Sequence, residues 1–246
     1  MENKKDCIIG TWAEIPSPYV THIMMKAGFD FSIIDMEHGI VDFETTQNMI
    51  FASHALNKQS FVRVPSIDEA WILRVLDMGC DGMIFPQVSS VEQIKRIIQY
   101  SCFAPSGKRG FNPYITAGGY NAVPDSYYSD ENNRIKLGII LEGKDVFERL
   151  DEILQFKEIE ILYIGQYDLS MALGIPGQVT HPLVLQYMSD AVERINIAGK
   201  YAGCMVHSID EANKVITQGF NFIVYKVDTG ILFSSIEQFV KGVNAR

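Results

Sequence analysis

Short apolar runs recur along the chain at nearly regular intervals, separated by longer stretches of mixed polarity. Runs of this kind, rich in Ile, Val and Phe and bounded by glycine and turn residues, are typical of strands that are buried on both faces of a parallel sheet. We predict eight β-strands, at Cys7–Trp12, Phe31–Asp35, Phe61–Val64, Gly82–Phe85, Lys136–Glu142, Glu160–Ile164, Tyr201–Met205 and Phe222–Val227.

Helical patterns lie between these runs. Asp42 and the Ser89-Ser90 pair are typical N-cap residues, and Gly28 and Gly79 stand where a helix would end. The predicted helices are Tyr19–Ala27, Phe43–Leu56, Glu69–Met78, Val91–Tyr100, Asp145–Phe156, Pro182–Ala198, Ile209–Gln218 and Ser234–Val243.

Eight strands that alternate with eight helices predict an α/β fold, a (β/α)₈ TIM barrel that occupies residues 1–246 as a single domain. A doubly wound open sheet is the structural alternative. That fold would be favoured by a G-x-G-x-x-G turn after the first strand, which the segment at Gly10-Thr11-Trp12 lacks. No linker and no internal repeat divides the chain.

The segment at about 101–134 interrupts this alternation. It lacks helix or strand periodicity and is rich in Gly, Pro, Asn, Ser and Tyr. A loop of this length in a compact domain is usually functional or disordered. We expect it to leave the carboxyl end of the fourth strand and to act as a lid or as a partner-contacting loop.

Composition narrows the classes of partner and the compartment. The net charge of −9 and the lack of any Lys/Arg cluster argue against nucleic-acid binding. The four cysteines are scattered without disulfide or metal-ligand spacing, which suits a reducing cytoplasm. The polar amino terminus and the lack of a long apolar run predict no signal peptide and no membrane span.

Ionisable residues gather where the predicted strands stop. Asp35, Glu37 and His38 follow the second strand, Arg63 the third, and Glu142 the fifth. In a barrel the carboxyl ends of all strands meet at one face, and active sites are assembled there. The recurrence of charged residues at strand ends therefore predicts a site on this face.

Glu142 and Asp168 come at the ends of successive strands, close enough in a barrel to share one divalent ion. Two carboxylates, with water and substrate oxygens as the other ligands, suit Mg²⁺ or Mn²⁺, and no Cys/His set suggests Zn²⁺. Each acid taken alone could equally be a salt-bridged strand-end residue, and Asp168 could be a helix N-cap.

Three further side chains suggest chemistry at the same face. The guanidinium of Arg63 could bind a carboxylate or enolate oxygen, or could simply pair with Glu37. His38 could act as a proton shuttle, the role for which histidine is the natural residue type. Asp77 lies inside an apolar helix end, where it could orient a histidine or be exposed to water.

With these residues in place, nearly the whole chain resembles the HpcH/HpaI aldolase family, the metal-dependent class II pyruvate aldolases. Each matching block is weak alone, but together they follow the family's order and separations. The blocks are Ala27-Gly28-Phe29-Asp30, Ile34-Asp35-Met36-Glu37-His38, Val62-Arg63-Val64-Pro65, Leu76-Asp77-Met78-Gly79, Pro105-Ser106-Gly107-Lys108-Arg109-Gly110, Leu141-Glu142, Ile164-Gly165-Gln166-Tyr167-Asp168-Leu169-Ser170, His181-Pro182 and Val227-Asp228-Thr229.

The resemblance implies a reaction and a role for each residue. A divalent ion (Mg²⁺, Mn²⁺ or Co²⁺) held by Glu142 and Asp168 would bind pyruvate, whose carboxylate would meet backbone N–H groups of the turn at Gly165–Asp168. The ion and Arg63 would polarise the keto oxygen. His38, oriented by Asp77, would act through water on the aldehyde hydroxyl. The implied reaction is reversible cleavage of a 4-hydroxy-2-oxo acid into pyruvate, or a related 2-oxo acid, and an aldehyde.

The resemblance also implies a homo-oligomer, a trimer or a hexamer, in which the last predicted helix packs against a neighbouring subunit. Three departures concern substrate recognition. Where the family commonly has Gly-Pro-Ala-Asp, Gln166 and Tyr167 stand, and Tyr167 could narrow the pyruvate pocket. Ile140 replaces a frequent Gln, and Phe111-Asn112-Pro113-Tyr114 replaces small residues.

Two other functions are compatible with the same fold. One is a C–C lyase similar to the citrate lyase β subunit or to malyl-CoA lyase, which would need basic residues for CoA that the acidic composition does not suggest. The other is a barrel that binds a metabolite without catalysis. The joint presence of His38, Arg63, Asp77, Glu142 and Asp168 argues against the second of these.

Overall fold

A computed structural model describes residues 5–243. Eight parallel strands pair in sequential order, and the last pairs with the first to close a barrel. This confirms the predicted (β/α)₈ fold. The strands are β1 (Ile8–Ala13), β2 (Phe31–Asp35), β3 (Gln59–Arg63), β4 (Gly82–Phe85), β5 (Lys136–Leu141), β6 (Ile159–Ile164), β7 (Tyr201–Val206) and β8 (Phe222–Val227).

Helices follow the strands around the outside of the barrel. Within residues 5–243, none of them is long and apolar enough to cross a membrane. They are α1 (Pro18–Ala27), α2 (Phe43–His54), α3 (Glu69–Asp77), α4 (Val91–Ser101), α5 (Tyr127–Arg134), α6 (Lys144–Glu148), α7 (Leu150–Leu154), α8 (Gln166–Ala172), α9 (Pro182–Ile197), α10 (Ile209–Thr217) and α11 (Asp228–Gly242).

Local hydrogen bonds explain where several helices begin. The side chain of Asp42 accepts a hydrogen bond from Thr45 N, and Ser90 forms a capping box with Gln93. Other boundaries differ from the prediction. The helix predicted at Asp145–Phe156 is split at Arg149 into α6 and α7, and α11 begins at Asp228 directly after β8.

The segment at 101–134 lies at a different place from the one predicted. It follows α4 and leads into β5, so it belongs to the amino-end face of the barrel and does not leave the carboxyl end of β4. Ala117 N donates to the carbonyl of Asp77 at the end of α3, and the amide of Asn132 bonds the backbone of Phe103 in both directions. The segment is not without helix either, because it contains α5 and a short 3₁₀ turn at Gly119–Asn121.

Aromatic rings fill the centre of the barrel. Phe31 stacks on Phe222 with ring centroids 4.2 Å apart, and Phe61 meets both rings edge-on. Gly10 faces this cluster, and a Cβ there would overlap the ring of Phe31. A glycine is therefore needed on β1 for the strand to lie this close to β2. The filled centre leaves only the ends of the barrel for ligands.

Candidate active site

Side chains alternate along each strand, so the residue two positions beyond a core residue also points into the barrel. Trp12, Ile33, Phe61, Ile140 and Tyr163 belong to the central cluster. Two positions after each of these, toward the carboxyl end of its strand, come Glu14, Asp35, Arg63, Glu142 and Gly165. Alternation therefore puts three acids, one arginine and one glycine at the carboxyl-end face.

A cavity of about 150 Å³ opens at this face. This volume is well below the roughly 300–1,000 Å³ of pockets for drug-sized ligands and suits a molecule of a few carbon atoms. Its lining includes four of those residues, Glu14, Arg63, Glu142 and Gly165, together with Asp168. The structure thus brings Arg63, Glu142, Gly165 and Asp168 together, as the sequence predicted.

Arg63 is fixed by two acids of the neighbouring segment. Asp35 on β2 is in register with Arg63 on β3, and its carboxylate accepts hydrogen bonds from Nε (2.8 Å) and Nη2 of the guanidinium. Glu37 lies 3.2 Å from Nη1, and the guanidinium stands 4.3 Å from the ring centroid of Trp12. Burial alone would lower the pKa of Arg63, but Asp35 and Glu37 raise it, so its charge is secure.

Asp35 also sets the course of the chain after β2. It is fully buried, and its Oδ1 accepts hydrogen bonds from Glu37 N (3.0 Å) and His38 N (3.2 Å). His38 itself is held less firmly. Its side chain is 68% exposed, and its Nε2 lies 3.9 Å from Glu37 Oε2. The histidine therefore stands in solvent at the edge of the site.

Glu142 lies among like charges. Its pKa is raised by burial and by the charges of Asp168 and Glu37, against a hydrogen bond from Gln87 N and the charge of Arg63. Glu142 and Asp168, the two acids expected to share an ion, line the same cavity. A cation between them would relieve this repulsion, so the two carboxylates fit a metal ion.

The donor set is sparse. Within residues 5–243, no three His, Cys, Asp or Glu side chains are arranged to hold a metal ion together. Glu142 and Asp168 would thus supply two ligands, and the remaining positions would be left to water and substrate oxygens. Mg²⁺ commonly binds in this way because it retains several waters.

Gly165 keeps the cavity open beside Glu142. A Cβ at this position would lie 3.0 Å from Ile140 Cγ2 and 3.3 Å from Glu142 Cβ, both tight contacts. The residues that follow form α8, which the sequence did not predict. Tyr167 lines the cavity and is 51% exposed, whereas Gln166 is buried with its amide 3.4 Å from Met188 Sδ. Three departures from the family pattern, Ile140, Gln166 and Tyr167, therefore line the cavity, and Tyr167 is the most exposed of them.

Asp77 is not near His38 in this chain. It is the last residue of α3 and lies at the amino-end face, whereas His38 follows the carboxyl end of β2. Its Oδ1 stands 3.5 Å from Arg109 Nη2, and burial raises the pKa of its carboxyl despite that arginine. The two side chains share no hydrogen bond within residues 5–243, so the expected orientation of His38 by Asp77 is not seen.

Sequence reasoning missed the roles of several residues in and beside the cavity. Trp12 Nε1 donates to Tyr163 Oη (3.3 Å), and both side chains line the cavity wall. Asp228 is buried at the start of α11 and accepts hydrogen bonds from Glu14 N (3.1 Å) and Ile15 N (3.0 Å). Glu14 could have been found, since it is an acid directly after a predicted strand.

Comparison with known proteins identifies the family of this chain. A model of the HpcH/HpaI aldolase/citrate lyase family matches residues 9–235. This chain belongs to that family. The 2-keto-3-deoxy-L-rhamnonate aldolase of Escherichia coli K12 is 28% identical over 235 residues, which cover 96% of this chain and 88% of the relative. The protein of the same name from Salmonella typhi is 29% identical, and the match covers 95% of this chain and 88% of that relative.

Two solved structures share the fold. The citrate synthase SbnG is 27% identical with a TM-score of 0.87, covering 96% of this chain and 92% of that one. An HpcH/HpaI aldolase from Desulfitobacterium hafniense DCB-2 superimposes with a TM-score of 0.92 at 24% identity. The match covers 98% of this chain and 94% of that one. Membership of this family makes the chain an enzyme, a carbon–carbon lyase.

Proposed function

We propose that this enzyme is a divalent-metal-dependent aldolase that reversibly cleaves a 4-hydroxy-2-oxo acid into pyruvate, or a related 2-oxo acid, and an aldehyde. The observation that carries the proposal is the small cavity at the carboxyl-end face, which Glu142, Asp168 and Arg63 line together. Similarity to 2-keto-3-deoxy-L-rhamnonate aldolases supports a 2-oxo acid as the substrate.

Glu142 and Asp168 are the residues that would hold the metal ion, for which Mg²⁺, Mn²⁺ and Co²⁺ are the candidates. When bound, a divalent ion supplies Lewis-acid polarisation of the keto group. Hydrogen bonding from Gln87 N holds Glu142 in place, and Gly165 leaves room beside it for the carboxylate end of the substrate. Asp168 and Tyr167, on the first turn of α8, close this end of the cavity.

Arg63 would stabilise the negative charge that develops on the keto oxygen when the C–C bond breaks. Its guanidinium is already held by Asp35 and Glu37, so no reorganisation is needed at the moment of reaction. Preorganised donors of this kind are usually the largest single contribution to catalysis. The ring of Trp12 covers one face of the guanidinium and limits contact with water.

His38 would exchange the proton of the aldehyde hydroxyl with solvent water. The backbone bond from His38 N to Asp35 places it beyond Arg63, and its exposed ring can reach bulk water. Glu37, rather than Asp77, is the acid next to this ring. We therefore assign the proton transfer to His38. Asp77, at the opposite face of the same barrel, is given no catalytic role.

The test measures metal binding and activity together. Glu142→Ala should lose divalent-ion binding in calorimetry and retro-aldol activity, because it removes one of two protein ligands. Glu193→Ala, on the exposed surface of α9, is the matched control and should keep both. Metal binding of unchanged affinity in Glu142→Ala would show that the ligand assignment is wrong. Activity that is lost on borohydride treatment with pyruvate would indicate an imine and contradict metal-dependent chemistry.

A C–C reaction on a thioester, similar to that of citrate lyase, is the second candidate, because the matching family model covers both aldolases and citrate lyases. The same cavity could bind a 2-oxo acid in both reactions, so the partner substrate is what separates them. Incubation with pyruvate or oxaloacetate and either an aldehyde or acetyl-CoA distinguishes the two. Turnover with the thioester alone would overturn the aldolase proposal.

We also propose a homo-oligomer, a trimer or a hexamer, built through α11. This helix exposes a row of large apolar side chains, Leu232, Phe233, Ile236 and Phe239. A contiguous exposed apolar surface on a protein of this composition indicates a protein contact.

The cytoplasm remains the compartment that the cysteine pattern favours, and Cys80, Cys102 and Cys204 are buried without disulfides.

A further inference from the structure

Glu14 is a cavity residue that the proposed reaction does not use. It directly follows β1, points inward two positions beyond Trp12, and lines the cavity. Its backbone is held in place, because the buried carboxylate of Asp228 at the start of α11 accepts hydrogen bonds from both Glu14 N and Ile15 N. The fold thus fixes an acidic residue at the wall of the active site.

The carboxylate of Glu14 has no protein partner. Within the described part of the chain, its side chain makes no hydrogen bond and no ion pair, whereas Asp35 and Glu37, the two acids that hold Arg63, do. Half-buried carboxylates normally find a donor, since desolvation without a hydrogen bond is costly. A free carboxylate that faces a ligand cavity is available to the ligand.

Strand order locates Glu14 on one side of the cavity. Glu14 follows β1, which pairs with β2, and His38 follows β2. Glu142 follows β5, on the opposite side of the closed barrel. Glu14 is therefore on the side of His38, and its pKa is raised by burial and by the like charges of Asp35 and Asp228, against the charges of Arg63 and His38.

This division matters for the substrate. In the proposed reaction the 2-oxo acid lies against Glu142 and Asp168, and the aldehyde part lies near His38. The aldehyde part of the substrate therefore faces Glu14. A carboxylate accepts hydrogen bonds from hydroxyl groups and repels a second carboxylate. The like charges that already raise the pKa of Glu14 would destabilise another anion in the same place.

We propose that Glu14 sets the charge selectivity of the aldehyde position, so that the enzyme accepts uncharged, hydroxylated aldehydes and discriminates against aldehydes that carry a carboxylate. The inference rests on the proposed aldolase function and adds the class of aldehyde to it. Glu14 acts here as a specificity residue, because the bond-breaking step uses Arg63, His38 and the residues that hold the metal ion.

The test follows aldol addition of pyruvate, with Mg²⁺, to three aldehydes. Butanal and succinic semialdehyde both have four carbons and differ in a terminal carboxylate, and glyceraldehyde carries hydroxyl groups. The unmodified enzyme should show the highest kcat/KM with glyceraldehyde and the lowest with succinic semialdehyde. Glu14→Gln should raise kcat/KM for succinic semialdehyde about tenfold relative to butanal, the effect of one charge at several ångströms in a hydrated site.

Glu193→Gln is the matched control, because it removes the same charge from the exposed surface of α9 and should leave the ratio unchanged. An unchanged ratio in Glu14→Gln overturns the inference while the aldolase function stands. Loss of all three reactions in a folded Glu14→Gln also overturns it, since Glu14 would then be needed for more than selectivity. An unmodified enzyme that adds pyruvate to no aldehyde overturns the proposed function itself.

A second measurement does not depend on the variant. If Glu14→Gln does not fold, the salt dependence of the unmodified enzyme decides. Screening of the repulsion should raise kcat/KM for succinic semialdehyde relative to butanal as ionic strength increases. A flat or falling ratio would mean that no negative charge opposes the substrate carboxylate, and the inference would be wrong.

Discussion

At the scale of single residues, Asp35 organises the site although it does not line the cavity. It is fully buried at the end of β2, and its two oxygens accept hydrogen bonds from the guanidinium of Arg63 and from Glu37 N and His38 N. A buried acid with this many donors holds its partners in one geometry, and removing its charge leaves Arg63 buried with less compensation.

Asp35→Asn should therefore be costly. Loss of one charge from a buried ion pair usually costs about 3–5 kcal/mol, and the released Arg63 should lower kcat/KM at least about a hundredfold. Urea unfolding and steady-state kinetics measure the two effects. Asp151→Asn is the matched control, since Asp151 pairs with Arg194 but is 83% exposed, and surface pairs contribute about 0–1 kcal/mol. Equal stability of the two variants would contradict this role of Asp35.

The residues that could be predicted from sequence were those next to strands. Arg63, Glu142 and Asp168 follow apolar runs, and the barrel brings all strand ends to one face, so their meeting followed from topology. Asp77 stands at the end of a helix, and helix ends lie at the opposite face. The pairing of Asp77 with Arg109 joins segments whose approach no local pattern encodes.

At the scale of elements, α11 differs from the other long helices in what it exposes. Asp228 is buried at its first position, and beyond it Phe233 (67%) and Phe239 (73%) are largely exposed. An amphipathic helix buries its apolar stripe against its own domain when it can. The exposed stripe of α11 is therefore the surface through which the proposed oligomer would form.

The double variant Phe233→Ser/Phe239→Ser should reduce the size of the assembly. Light scattering coupled to size-exclusion chromatography should show a shift from the oligomer to smaller species, because the removed rings contribute the apolar contact area. Circular dichroism should stay unchanged, since both side chains are exposed in the single chain. Glu237→Ser, on the same helix but at an ion pair with Lys241, is the control and should leave the mass unaltered. A monomeric unmodified protein would contradict the role of α11.

The segment at 101–134 contains a helix, α5, that the sequence pattern did not predict. Its helix α5 reads Tyr-Tyr-Ser-Asp-Glu-Asn-Asn-Arg, with no apolar stripe that a helical period could reveal. What holds α5 is tertiary, since Tyr127 packs against Phe103, Glu131 accepts a hydrogen bond from Arg109, and Arg134 donates one to Asp81. Aromatic and ionic contacts between distant segments override a weak local preference, and these contacts cannot be derived from spacing.

At the scale of the whole molecule, the two ends of the barrel have different functions. The carboxyl-end face holds the cavity, and the amino-end face is tied together by ion pairs around Asp81. This residue precedes β4 and accepts hydrogen bonds from Ser60 N (2.8 Å), His54 Nε2 (2.8 Å) and Arg134 Nη1 (3.2 Å). It thus connects α2, β3 and α5. In TIM barrels this end serves stability rather than chemistry.

The pH dependence of stability should report on this network. Burial by itself would raise the pKa of Asp81, but the hydrogen bonds from His54 and Ser60 N and the charge of Arg134 lower it below the ordinary value. A carboxyl whose pKa is lower in the folded state stabilises the fold above its unfolded pKa, and this contribution is lost as pH falls through the folded pKa. The stabilisation by Asp81 is therefore complete at neutral pH and disappears below about pH 4.

Asp81→Asn should accordingly lower the free energy of unfolding at pH 7 by about 1–3 kcal/mol, because a charged acceptor of several hydrogen bonds is lost. The difference from the unmodified protein should shrink as pH falls below about 4, where both carry a neutral group. Urea titrations over a pH series measure it, and kcat/KM at pH 7 should stay unchanged because the site lies at the other face. Asp130→Asn, an exposed acid of the neighbouring α5, controls for lost surface charge. A penalty that persists undiminished at low pH would mean that packing, rather than the charge of Asp81, holds this end of the barrel together.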